Sequence, residues 1–102
     1  MILIITAVPD EDVGTLIARK LITDHLAACV HLLPPGKSFY RWDAKIEEAG
    51  EHALHIKTAD DKFDRVVAAI KAMHPYDVPM ILKLDVAAAN PEFLDWVENE
   101  TR

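Results

Sequence analysis

Read from its N-terminus, this chain switches its hydrophobic period between two residues and 3.6 residues, and the order of the switches leaves few folds open. Ile2-Leu3-Ile4-Ile5-Thr6-Ala7-Val8 is a β-branched apolar run closed by Pro9, which reads as a strand buried on both faces and central in a sheet. Asp10 then stands where a helix N-cap belongs, and Val13, Leu16, Ile17 and Leu21 repeat at helical spacing, predicting a helix to about His25. Ala28 to Leu33 reads as a strand that meets Pro34-Pro35-Gly36, and Ser38-Phe39-Tyr40-Arg41-Trp42 resumes extended structure. The two pieces are one strand bent at the prolines or two collinear ones. A polar turn is expected from Asp43 to Gly50, followed by a hairpin partner in which His52, Leu54, Ile56 and Thr58 share one face. Asp60 and Asp61 open a second helix with Phe63, Val66, Val67, Ile70 and Met73 on its apolar stripe, and Pro75 stops it. Met80, Leu82, Leu84 and Val86 alternate with Ile81, Lys83 and Asp85 as a fourth strand, and Asn90-Pro91-Glu92 begins a last helix carrying Phe93, Leu94, Trp96 and Val97. The order βαββαβ plus a helix predicts an α+β, ferredoxin-like domain, an antiparallel four-stranded sheet with two helices on one face.

With 102 residues the chain has room for one domain, residues 1–102. A hydrophobic share of 51% against 27% charged excludes disorder and leaves surplus apolar surface, which points to self-association. No apolar stretch approaches the roughly 18–20 residues of a bilayer span, so no membrane association is expected. The N-terminal run lacks a basic segment before it, and the lone Cys29 builds no disulfide framework, so the cytoplasm is the expected compartment. Seventeen acidic against eleven basic residues give a net charge of −6, with the basic residues scattered. Nucleic acid is therefore not an expected partner. An RNA-recognition domain of the same topology would also need stacking aromatics on its first and third strands, and these strands have none. A phosphate loop of the acyl-phosphatase kind is missing too, since Ala7-Val8-Pro9-Asp10 follows the first strand.

Cys29, His25, His31, His52, His55 and His74 are the borderline or soft metal ligands of this sequence, and none forms a strong spacing motif. Cys29 and His31 point to one face of a strand, while His52 and His55 point to opposite faces. Packing among Ala27, Ala28 and Val30 is the simpler reading of Cys29. His74 ends a helix against Pro75 beside Tyr76, where rigid turn chemistry holds an ionisable ring in a defined place. Glu47, Glu48 and Glu51 read as a solvated hairpin turn, and Lys57 as either an exposed strand residue or one facing a pocket or subunit interface. No nucleophile motif surrounds Ser38 or Cys29, so no enzymatic activity is expected.

Taken together in order and spacing, several segments resemble the divalent-cation tolerance family known as CutA. They are Pro9-Asp10-Glu11, Leu26-Ala27-Ala28-Cys29-Val30, Ser38-Phe39-Tyr40-Arg41-Trp42, Lys45-Ile46-Glu47 with Glu51, Ile56-Lys57-Thr58, His74-Pro75-Tyr76-Asp77-Val78-Pro79, and Phe93-Leu94-Asp95-Trp96. The resemblance implies a ferredoxin-like subunit in a compact homotrimer, with sheets pairing between subunits much as in PII-like signalling proteins. It also implies a role in tolerance of copper and other divalent metals. Copper ligands proposed in that family are a cysteine near the end of the first strand and histidines at the His-Pro-Tyr motif. This chain has Thr6 at the first position and Met73 before His74, so His74 alone carries over. Met80 stands where glutamate usually follows the proline, and Ala44 where glycine is common.

On that resemblance the expectation is a homotrimer that binds copper or another divalent cation weakly through His74, with Cys29 or Tyr76 nearby, and requires no cofactor. The competing expectation is a PII-like regulatory module whose intersubunit cleft, lined by Tyr40, Trp42, Lys57, His74 and Tyr76, holds a small anionic ligand or a protein partner. A trimer without a ligand is the third. Lys57 separates the first two, because an ammonium repels a cation and attracts an anion.

Overall fold

The computed structural model describes all 102 residues. Its elements are β1 (Ile2–Val8), α1 (Glu11–Thr23), β2 (Cys29–Trp42), β3 (Lys45–Thr58), a single 3-10 turn (Asp60–Lys62), α2 (Phe63–Met73), β4 (Ile81–Asp85) and α3 (Pro91–Glu100). The strands form one antiparallel sheet in the order β2-β3-β1-β4, the ferredoxin-like order the sequence predicts, with β1 central.

Strand alternation builds the core. Ile2, Ile4, Thr6 and Val8 of β1 and Leu54, Ile56 and Thr58 of β3 are fully buried, and Ile17 and Leu21 of α1 and Val66 and Ile70 of α2 close over them. The opposite face of β1, Leu3, Ile5 and Ala7, is only half-buried, so the expected burial of both faces is not reached within one chain. No second layer of helices exists to cover it. The same open face carries Met80, Leu82 and Leu84, 44, 48 and 43% exposed.

Local chemistry explains the helix ends. The Asp10 carboxylate accepts the Val13 N–H at 2.9 Å, and Glu11 and Asp12 sit in the first turn, where the helix dipole favours negative charge. Gly14 lets α1 lie close to the sheet, since a Cβ there would stand 2.7 Å from a Leu32 methyl carbon. α1 ends at Thr23, two residues before the expected His25. His25 itself is left-handed (φ 57°), and the Leu26 N–H reaches back to the Leu21 carbonyl at 2.9 Å, a turn geometry that ends a helix.

The largest departure from expectation is the β2–β3 hairpin. Its turn is only Asp43-Ala44, both with positive φ (52° and 63°), and pairing resumes at once with Trp42 opposite Lys45. Residues 45–50, expected in a polar turn, are strand. Glu47 and Glu48 face Tyr40 and Phe39 in the register. The Lys37 ammonium lies 3.2 Å from the Glu48 carboxylate. The prolines do not divide β2, because it is an edge strand and a register shift between Leu32 and Pro35 absorbs them. Beyond His52, β3 pairs with β2 alone, so a two-stranded arm extends past the sheet and gives the molecule a long axis of 45 Å. Phe39, Trp42 and Ile46 on this arm are 66, 57 and 75% exposed.

Candidate functional site

The candidate site is a cleft of about 570 Å³ where the base of the arm meets the segment between α2 and β4. Its walls are Ser38, Tyr40, Arg41 and Trp42 from β2, Glu51 from β3, Ala7 from β1, and Tyr76, Asp77, Val78 and Met80. Pro75 and Pro79 restrict the backbone of this last segment, which bends from Pro75 to Val78 across the end of the sheet.

His74 fastens that segment. It is buried, its Nε2–H donates to the Ala7 carbonyl at 2.7 Å, and its Nδ1 accepts the Tyr76 N–H at 3.2 Å. A ring nitrogen that accepts from a backbone N–H must carry a lone pair, and one that faces a carbonyl must carry the proton, so the pattern specifies the neutral Nε2–H tautomer. Both nitrogens are thereby engaged, and a metal reaches Nδ1 only by displacing the Tyr76 N–H. The His74 and Tyr76 rings stack obliquely with centroids 4.7 Å apart. The Tyr76 hydroxyl donates to a Glu51 carboxylate oxygen at 3.0 Å. Partial burial of the phenol, then the hydrogen bond to Glu51 and the negative charge there, push its pKa up from 10 to about 12. Tyr76 is therefore a permanent donor and Glu51 its acceptor throughout the physiological range.

The structure brings some of the expected site residues together and separates others. Tyr40, Trp42 and Tyr76 line the cleft, with His74 directly beneath Tyr76. Lys57 does not, and neither does Cys29. Lys57 pairs with Leu3 and Cys29 with Lys57, whereas the cleft lies by Ala7, four residues along β1. Four strand residues span about 13 Å. Within one chain, Cys29 cannot share an ion with His74, and Lys57 cannot reach an anion in the cleft. The charged residues that do line it are Glu51, Asp77 and Arg41, two carboxylates against one guanidinium. No group of three His, Cys, Asp or Glu side chains is placed to hold a metal ion.

Glu51 is the site residue the sequence reading assigned elsewhere. Extending the alternation of His52–Thr58 back by one residue puts Glu51 on the face of Ala53, His55 and Lys57, which is the signal that would have found it. Ser38, Arg41, Asp77 and Val78 carry no comparable mark, since their convergence depends on how β2 bends.

Comparison with known proteins agrees with this architecture. The family model of the CutA1 divalent ion tolerance protein matches residues 2–100. The divalent-cation tolerance protein CutA of Thermus thermophilus is 40% identical over 98 residues, covering 96% of this chain and 95% of that protein. The chloroplastic protein CutA 1 of Oryza sativa is 36% identical over 101 residues, 99% of this chain and 57% of that longer protein. Among solved structures, the periplasmic divalent cation tolerance protein CutA from Archaeoglobus fulgidus superposes with a TM-score of 0.97 at 38% identity, covering 100% of both chains. A match over nearly the whole chain, at this level of identity and with this fold, places the chain in the CutA1 divalent ion tolerance protein family.

Proposed function

We propose that this protein serves divalent-cation tolerance as a homotrimer that binds copper or another divalent metal weakly at the cleft, by a binding rather than a catalytic role. The observation that carries the metal reading is the cleft's fixed charge. Glu51 and Asp77 outweigh Arg41, and the lysine that an anionic ligand would need lies four residues along the sheet. This balance disfavours a PII-like site for small anions. Weakness follows from His74, because an ion at Nδ1 must displace the Tyr76 N–H, and the remaining donors are carboxylate oxygens of a single chain. Trimerisation is supported by the open sheet face and by the exposed Phe39, Trp42 and Ile46 of the arm, large apolar side chains that association would cover. No helix is long and apolar enough to cross a membrane. The single cysteine suits a reducing compartment, for which we take the cytoplasm.

Native mass spectrometry of metal-stripped protein titrated with copper tests this reading beside His74→Ala. The expected result is a trimer that takes up copper in the parent and binds one ion fewer per chain in the variant. A trimer that stays empty at the cleft, with parent and variant alike, would refute the metal reading; a monomer would refute the assembly.

A further inference from the structure

Three of the five histidines are committed to backbone carbonyls: His25 to Glu100 at 3.0 Å, His52 to Leu33 at 2.9 Å and His74 to Ala7 at 2.7 Å. The remaining two, His31 on β2 and His55 on β3, are left without such a bond, and the sheet register sets them directly opposite each other. Strand alternation puts both rings on the open face, away from the helices, because Leu54 and Ile56 on either side of His55 are fully buried. Directly opposed residues of antiparallel strands have Cβ atoms about 4.5–5.5 Å apart, a separation that lets two imidazoles converge on one ion.

From this pairing we propose that His31 and His55 form a bis-imidazole site for a borderline divalent transition-metal ion, Cu²⁺ above the others in the ordinary order of stability. The site is separate from the cleft and does not rest on metal binding there; it lies on the open face through which assembly is proposed, so it is tested on the protein as it assembles. Its floor is Ile5, which stands beside His55 on β1, with Leu82 beyond it on β4. Cys29 and Lys57 form the next opposed pair on the same face, a soft donor and an ammonium at diagonal distance. The ammonium limits affinity, and the imidazoles, being neutral ligands, select the metal by nitrogen rather than by charge. Because β2 is the edge strand, a bound ion also ties the sheet's edge to its interior.

Titration of the metal-stripped, assembled protein with CuCl₂ tests the proposal, read by electron paramagnetic resonance and by a competing chelator. The parent, His52→Gln and His74→Gln should all show an ion with two nitrogen ligands at this site. His31→Gln and His55→Gln should each lose one nitrogen from the spectrum and bind that ion about 100-fold or more weaker, since a chelate becomes a single contact. Both positions lie outside the helix-covered core, so both variants should fold, and circular dichroism checks this. Unchanged copper affinity in either variant would overturn the site. Loss confined to His74→Gln would overturn it as well while leaving the cleft reading intact, and no uptake by any of the proteins would overturn both.

Discussion

Thr6 offers the sharpest test of how this core is built. It is fully buried between Leu54 and Ile81 in the sheet register, and its Oγ1 has no hydrogen-bond partner. A hydroxyl held from water without a partner costs about 1–3 kcal/mol. Thr6→Val keeps the β-branched shape that the strand favours and replaces only that hydroxyl by a methyl, whose burial adds at most about 0.8 kcal/mol. A methyl is slightly bulkier than a hydroxyl, so part of the gain is returned in local crowding. The expected net stabilisation is about 1–2 kcal/mol, and each kcal/mol should raise the melting temperature by about 4–8 °C for a domain of this size. Urea denaturation at fixed protein concentration, with the slope m unchanged, gives the difference directly. Thr6→Ser is the control, because it keeps the stranded hydroxyl and removes the methyl, and it should lose about 0.5–1.5 kcal/mol. A Thr6→Val midpoint equal to or below the parent's would refute the reasoning and mean that the hydroxyl is not stranded in the folded protein.

Two further predictions concern the arm and the cleft. Ala44 holds φ 63° at the hairpin tip, a left-handed conformation that costs an L-residue about 1–2 kcal/mol, of which glycine's greater freedom in the unfolded chain takes back about 0.4–1 kcal/mol. Ala44→Gly should therefore stabilise by about 0.5–1 kcal/mol in the same urea assay, and a destabilised variant would contradict the turn geometry. Tyr76 has a folded pKa near 12 against an ordinary 10, so the folded chain holds that proton more tightly than the unfolded one. The stability this contributes is complete below pH 10 and is lost as pH rises through about 12, so the parent should lose ground against Tyr76→Phe over that window. A parent-to-variant difference independent of pH would show that neither burial nor the Glu51 contact perturbs the phenol.

The element order was legible because each segment's hydrophobic period and punctuation agree. The β-branched run of Ile2–Val8, the Asp10 cap and the Pro75 stop each act within a few residues of themselves. The arm was not legible. Pro34-Pro35 and Glu47-Glu48-Ala49-Gly50 have poor strand propensity, and their extended conformation is imposed by pairing across a two-residue turn. Tyr40, Trp42 and Tyr76 share the end of the molecule that holds Ala7 and line the cleft of the single chain. Within one chain Lys57 and Cys29 lie elsewhere, because facing, which alternation gives, says nothing of position along the strand, which register gives. Ala44 shows the reverse case. A departure from the resembled family's usual glycine was visible in the sequence, and its physical meaning appeared only with the positive φ.

The two-stranded arm has a consequence for the life of a newly made chain. Residues Gly36–Trp42 and Lys45–Glu51 pair only with each other, and an isolated two-stranded ribbon is marginally stable in water. In a subunit without partners this ribbon should open and close far more often than the four-stranded body, offering proteases an extended substrate. In the homotrimer proposed above, docking against other copies would remove that substrate. An orphan subunit would thus be nicked and cleared first at its arm, and the surviving pool would consist of completed assemblies, with the hairpin serving as the chain's own assembly checkpoint.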